Sequence, residues 1–99
     1  MTETQTKRLA WLKSCKARSK RVSEAELDEM AKQCRKLAKN TRAHSLVRKE
    51  AEELADRVKL LQSKGVPPEG WTKGQIREQT RVVQIRMAHL LVQEFGLLH

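Results

Sequence analysis

Cys15, Cys34 and His44 are the side chains best suited to metal ligation or nucleophilic chemistry in this 99-residue chain, and their spacing serves neither. A structural zinc site begins with a close pair of ligands a few residues apart, and no such pair occurs. Small thiols buried on apolar helical stripes are the expected role for both cysteines. His89 and His99 are isolated, which suits packed or solvated imidazoles better than a catalytic base. The adjacent carboxylates Asp28-Glu29 and Glu52-Glu53 diverge by about 100° on a helix, so neither pair converges on one substrate atom. Gly65-Val66-Pro67-Pro68-Glu69-Gly70-Trp71-Thr72 has the glycine spacing of a phosphate-binding loop. It places Trp71 where that loop needs Lys, and its prolines lack two N–H donors. No catalytic residue, metal ligand, cofactor or small-molecule substrate is therefore assigned.

The remaining chemistry is electrostatic. Lys and Arg number 21 against 12 Asp and Glu, for a net charge of +9, which points to an anionic or acidic partner. Residues 1–21 hold Lys7, Arg8, Lys13, Lys16, Arg18, Lys20 and Arg21 with one acid, Glu3, so two-thirds of the excess sits in the first fifth of the chain. Contacts from these cations to phosphates would be sequence-independent and salt-sensitive. The same patch would suit an acidic face of another protein, or simply keep the chain soluble. A second line, Lys73, Arg77 and Arg81, widens the patch if its helix neighbours the first. With one Phe, two Trp and no Tyr, base stacking on aromatic platforms has little to work with.

Two further features could serve recognition. Gly65, Val66, Pro67 and Pro68 form a loop whose X–Pro bonds isomerise slowly, which suits a ligand for a peptidyl-prolyl isomerase or a stiff spacer between helices. Trp11, set among cations, is either a core residue or a docking anchor.

The elements that must position these residues are helices. The length allows one domain, residues 1–99, with one modest core. Leu, Ile, Val and Phe make up 22 of the 99 residues, just above the range in which high charge means disorder. The expected fold is all-α, with three to four helices, extended or loosely packed, and a Gly/Pro connector over residues 65–71 before the last helix. A basic helix falls within residues 1–21, with Leu9, Leu12 and Cys15 on a narrow strip. The second opens with Ser23 and Glu26 in a capping box and carries Leu27, Met30, Cys34 and Leu37 at 3/4 spacing. Val47, Ala51, Leu54 and Val58 form a third stripe. Twenty residues separate Cys34 from Leu54, so on one unbroken helix they would lie about 160° apart. Either one long helix serves two partners or the chain bends near Asn40 and Thr41; the bend is favoured, with Asn40 in a left-handed conformation and Thr41 or Ser45 as the next cap. The last helix, residues 72–96, starts with Thr72 and Gln75 in a second capping box, flanked by a Trp71–Ile76 hydrophobic staple, and ends at a Gly96 cap. No stretch reaches the roughly 18 apolar residues of a membrane span, and no apolar leader precedes Lys7; a reducing cytoplasm is expected.

From MTETQTKRLAWLKSCKARSKRV to GVPPEGWTKGQIREQTRVVQIRMAHLLVQEF, the chain resembles the small anti-RecBCD proteins of lambdoid phages that infect Salmonella. The resemblance implies a non-enzymatic phage protein in the host cytoplasm that binds RecBCD, through RecC. It would alter the nuclease, the Chi response and RecA loading in favour of phage recombination. It also fits a host prolyl isomerase partner for the Pro67-Pro68 loop, with DNA contact secondary. The alternative from residue chemistry alone is a small basic helical DNA-binding protein or regulator. A purely structural helical oligomer is a third class.

Overall fold

Ser23 begins one helix and Thr72 another by the same local chemistry. Each hydroxyl accepts the backbone N–H three residues on, at 3.2 Å in both cases, while the side chain of Glu26 or Gln75 reaches back to the cap N–H. Both capping boxes stand where the sequence places them. The computed structural model describes residues 1–17, 22–62 and 70–99. Over these the elements are α1 (Glu3–Ala17), α2 (Glu24–Ala38), α3 (Ser45–Leu61), α4 (Lys73–Gln93) and the single turn α5 (Phe95–Leu98). Of the described residues, 82% are helical and none is in a strand, so the fold is all-α, with a short fifth helix beyond the expected three to four.

The chain bends between α2 and α3 as the opposed stripes require, but by other means. Among the described residues no non-glycine has positive φ, so Asn40 does not take the left-handed conformation. Its side-chain carbonyl accepts the Arg42 N–H at 2.9 Å, and its amide donates to the Leu97 carbonyl at 3.2 Å. The cap of α3 is His44, whose Nδ1 accepts the Leu46 N–H at 3.1 Å, rather than Thr41 or Ser45. A neutral imidazole offers the same acceptor that a hydroxyl would.

The C-terminal helix also departs from expectation. α4 stops at Gln93, Glu94 breaks the ladder, and α5 turns back toward the α2–α3 joint. Gly96 lies inside that turn rather than forming a left-handed cap; the described glycine with positive φ is Gly70, at +81°, which enters α4. There the missing Cβ relieves strain that an L side chain would suffer.

α4 is the central element, packing against α1, α2 and α3, while α2 also packs on α3 and α5. Val83, Met87, Ala88, Leu90 and Leu91 of α4 meet Leu27, Met30, Cys34 and Leu37 of α2, with Ala51, Leu54, Ala55 and Val58 of α3, in one buried cluster. Cys15 and Cys34 stand outside any disulfide at 0% exposure, and burial pushes the Cys34 thiol up to about 12. They occupy the apolar role expected of them. A radius of gyration of 13.7 Å and extents of 43 × 27 × 18 Å describe a flattened, elongated body.

Candidate interaction surface

α1 carries the basic residues, and it is short of apolar ones. Only Leu12 and Cys15 of its side chains are fully buried, with Leu9 and Trp11 packed at the edge of the core. Directed polar bonds do the rest. The Trp11 indole N–H donates to Glu26 Oε2 at 2.7 Å, and Arg8 Nη1 to Glu29 Oε1 at 3.1 Å. Gln5 Nε2 donates to the His99 carbonyl at 2.6 Å. Glu26 therefore has two duties, since its other oxygen closes the α2 capping box at Ser23.

At the other end of α1, Gln84 of α4 is completely buried and bridges two strands of backbone. Its Nε2 donates to the Cys15 carbonyl at 3.2 Å, and its Oε1 accepts the Val22 N–H at 2.8 Å. These pairings, with Gln5 at His99, set α1 antiparallel to α4. They also satisfy backbone groups that would be costly to bury unpaired. Gln84 lies three residues before Met87 and seven before Leu91, on the apolar stripe of α4; a polar side chain at such a position is the signal that marks it in the sequence.

The N-terminal cations do not share one face. Lys7 and Lys16 point about 180° apart on α1, and Arg8 and Lys13 about 140° apart. Lys7 and Arg8 flank Trp11 along a groove of about 430 Å³ walled on the other side by Ala25, Glu26 and Glu29 of α2. Lys13 and Lys16 point away from it, exposed and without acidic partners among the described residues. Lys7 pairs with Glu3 at 3.3 Å, both side chains largely solvated, so that contact is worth little. Arg18, Lys20 and Arg21 lie outside the described residues, as do Gly65, Val66, Pro67 and Pro68 of the proline loop. α1 and α4 are neighbours, which meets the condition for Lys73, Arg77 and Arg81 to widen the basic surface; Arg77 and Arg81 are exposed.

One group of cations escapes a reading by net charge. Residues 22–40 sum to zero, yet the four acids of α2 lie in its first half, with Lys32, Arg35 and Lys36 in its second half and Lys39 at its C-cap. The helix is polarised, and its C-terminal half is strongly basic. Arg8 and Lys36 bear on His99, whose imidazole is held below its ordinary range by burial first and by these two cations after it. Glu29 is lowered as well, chiefly by the hydrogen bond from Arg8.

Among the described residues, no three His, Cys, Asp or Glu side chains lie together as a metal ion would need, and no helix is long and apolar enough to cross a membrane. Comparison with protein-family models, with curated proteins and with solved structures finds no match for this chain.

Proposed function

We propose that this chain is a non-catalytic docking protein that works by modifying a larger enzyme. In the reading its resemblance suggests, that enzyme is host RecBCD, engaged through RecC in the host cytoplasm. Binding would change the nuclease, the Chi response and RecA loading so that phage recombination proceeds. The observation that supports a docking role is the groove at Trp11. A half-buried indole, with its N–H already satisfied by Glu26, presents an apolar ring face between Lys7 and Arg8 on one side and Ala25 on the other. An aromatic anchor with a charged rim, here Lys7 and Arg8 with Glu26 and Glu29, is the composition of an interface hot spot, where the ring supplies burial and the charges steer encounter. The proline loop at Gly65, Val66, Pro67 and Pro68 would serve a host peptidyl-prolyl isomerase as a second partner.

The test is direct binding of the purified chain to purified RecBCD without DNA. Ala25→Glu places a carboxylate on the exposed groove wall without touching the core, and the reading expects at least a 10-fold loss of affinity. Lys13→Gln with Lys16→Gln, on the far side of α1, should slow association by a few-fold and leave dissociation unchanged. No detectable binding of the wild-type chain, or full binding by Ala25→Glu, overturns it. Substituting Pro67 and Pro68 by Ala should abolish isomerase binding while leaving RecBCD binding intact.

A further inference from the structure

Beside the Trp11 groove lies a second one of about 620 Å³, walled by α2 with contributions from Arg8 and α5. Arg8, Lys32, Arg35, Lys36 and Lys39 face it against one acid, Glu29. That acid is engaged, accepting Arg8 Nη1 at 3.1 Å and Gln33 Nε2 at 3.4 Å. Gln33 is engaged too: it is 5% exposed, with its carbonyl 3.4 Å from His99 Nε2. What remains open toward solvent is almost entirely hydrogen-bond donors, since ammonium and guanidinium groups donate and never accept.

That asymmetry selects the ligand. An acidic peptide brings a backbone N–H with each residue and needs acceptors in return, of which the lining side chains offer the Thr4 hydroxyl and little else beyond the engaged Glu29 and Gln33. A phosphodiester chain is acceptor throughout. Lys32, Lys36 and Lys39, at i, i+4 and i+7, share one face of α2 over about 10 Å. That is the length of about three phosphates at 3.4 Å per nucleotide along one strand of a duplex. The one aromatic ring in the lining, His99, is already packed on Phe95 at 4.5 Å, so bases find no free platform to stack on and contact is confined to the backbone. Cations in the last turn of a helix also favour its own carbonyls, which accounts for Arg35 and Lys36 but not for Lys32 or Arg8.

We propose that this α2 groove binds the phosphate backbone of duplex DNA, without sequence preference, at a site that adjoins the Trp11 groove and shares Thr4, Arg8 and Glu29 with it. Burial is the first cause of the lowered proton affinity of His99; the smaller contributions of Arg8 and Lys36 agree with a positive potential there. The site does not depend on the RecBCD reading, and its test contains no protein partner.

The experiment is anisotropy of a labelled short duplex with the full chain over increasing salt. With Arg8 held by Glu29, four free cations predict a slope of about −3.6 in log affinity against log salt. Lys32→Gln/Lys36→Gln/Lys39→Gln should reduce that slope by about 2.7 and weaken binding by about 100-fold at low salt. Lys13→Gln/Lys16→Gln/Arg81→Gln removes the same charge from exposed positions elsewhere and should reduce the slope by less than about 1. His99, followed by NMR, should titrate at a higher pH with duplex bound than without. Equal losses from the two triple variants would reduce the effect to bulk charge and overturn the proposal. So would undetectable wild-type binding, or tighter binding of poly-glutamate than of duplex at matched salt.

Discussion

α1 and α3 are nearly equal in length, 15 and 17 residues, yet they are attached to the molecule by different physics. α3 buries Ala51, Leu54, Ala55 and Val58 against its neighbours. α1 buries Leu12 and Cys15, and is otherwise held by the bonds of Trp11, Arg8, Gln5 and Gln84. Full burial of a leucine contributes about 1.5–3 kcal/mol, whereas a typical hydrogen bond nets about 1 and an exposed ion pair less. A helix whose residues are mostly spent on charge cannot fill an apolar stripe, and directed polar bonds compensate only in part. α1 should therefore be the less stable unit, opening before the α2–α3–α4 body.

The sharpest test pairs one substitution from each mode. Leu54→Ala removes a buried side chain shared by α3 and the core and should cost about 3 kcal/mol in denaturant unfolding. Gln84→Ala removes the acceptor of the Val22 N–H and the Gln84 donor to the Cys15 carbonyl at a buried site, at about 1–3 kcal/mol in all. Hydrogen exchange separates the two. Gln84→Ala should speed exchange in α1 well beyond that in α3, while Leu54→Ala should lower protection in α2, α3 and α4 together. Equal acceleration of α1 and α3 amides in Gln84→Ala would show that the two helices belong to one cooperative unit.

A smaller effect distinguishes the two capping boxes. Glu26 closes the α2 box and also holds Trp11, whereas Gln75 closes the α4 box alone. Glu26→Ala should cost about 1.5 kcal/mol and Gln75→Ala about 0.5 in the same unfolding assay. Loss of that difference in a Trp11→Phe background, where the N–H donor is gone, would show that the excess belongs to the indole bond. An equal cost for the two would mean that α1 gains nothing from it.

These boxes were legible because their partners are three residues apart, so the sequence carries both halves of each interaction in one glance. The apolar stripes of α2 and α3 were legible for the same reason. Gln84 shows where that stops. Its position on the stripe marks it as buried, but its partners at Val22 and Cys15 lie 62 and 69 residues away, and only the packing of α1 on α4 brings them together. The bend at Asn40 was required by the angle between stripes, while its capping residue, His44, was decided by local geometry that several side chains could satisfy. The basic surface was misjudged for a different reason. Summing charge along the chain grouped Lys7 with Lys16, which lie on opposite sides of α1, and cancelled the cations of α2 against acids at its other end. Charge sums discard angle and axial position, and those are what a binding surface is made of.

Protons offer the gentlest probe of the same contrast. The carboxyl of Glu29 is lowered from its ordinary 4.5, chiefly by the hydrogen bond from Arg8, and the imidazole of His99 is lowered from 6.5, chiefly by burial. Both sit at contacts of α1, and both depressed values act with one sign. The unfolded chain takes up the proton first, so the stability each group contributes is intact above its ordinary value and is lost as the pH falls. His99 acts first, below 6.5, and Glu29 follows below 4.5. Both are partly solvated, which keeps the combined effect under about 1 kcal/mol. The apolar contacts of α3, at Ala51, Leu54, Ala55 and Val58, have no proton to exchange. Between pH 7 and pH 4, the opening free energy of α1 amides should therefore decline while that of the α3 amides from Ala51 to Val58, clear of the His44 cap, stays level, after correction for intrinsic exchange. A parallel decline in both helices would locate the pH sensitivity in the shared core rather than in the polar attachment of α1.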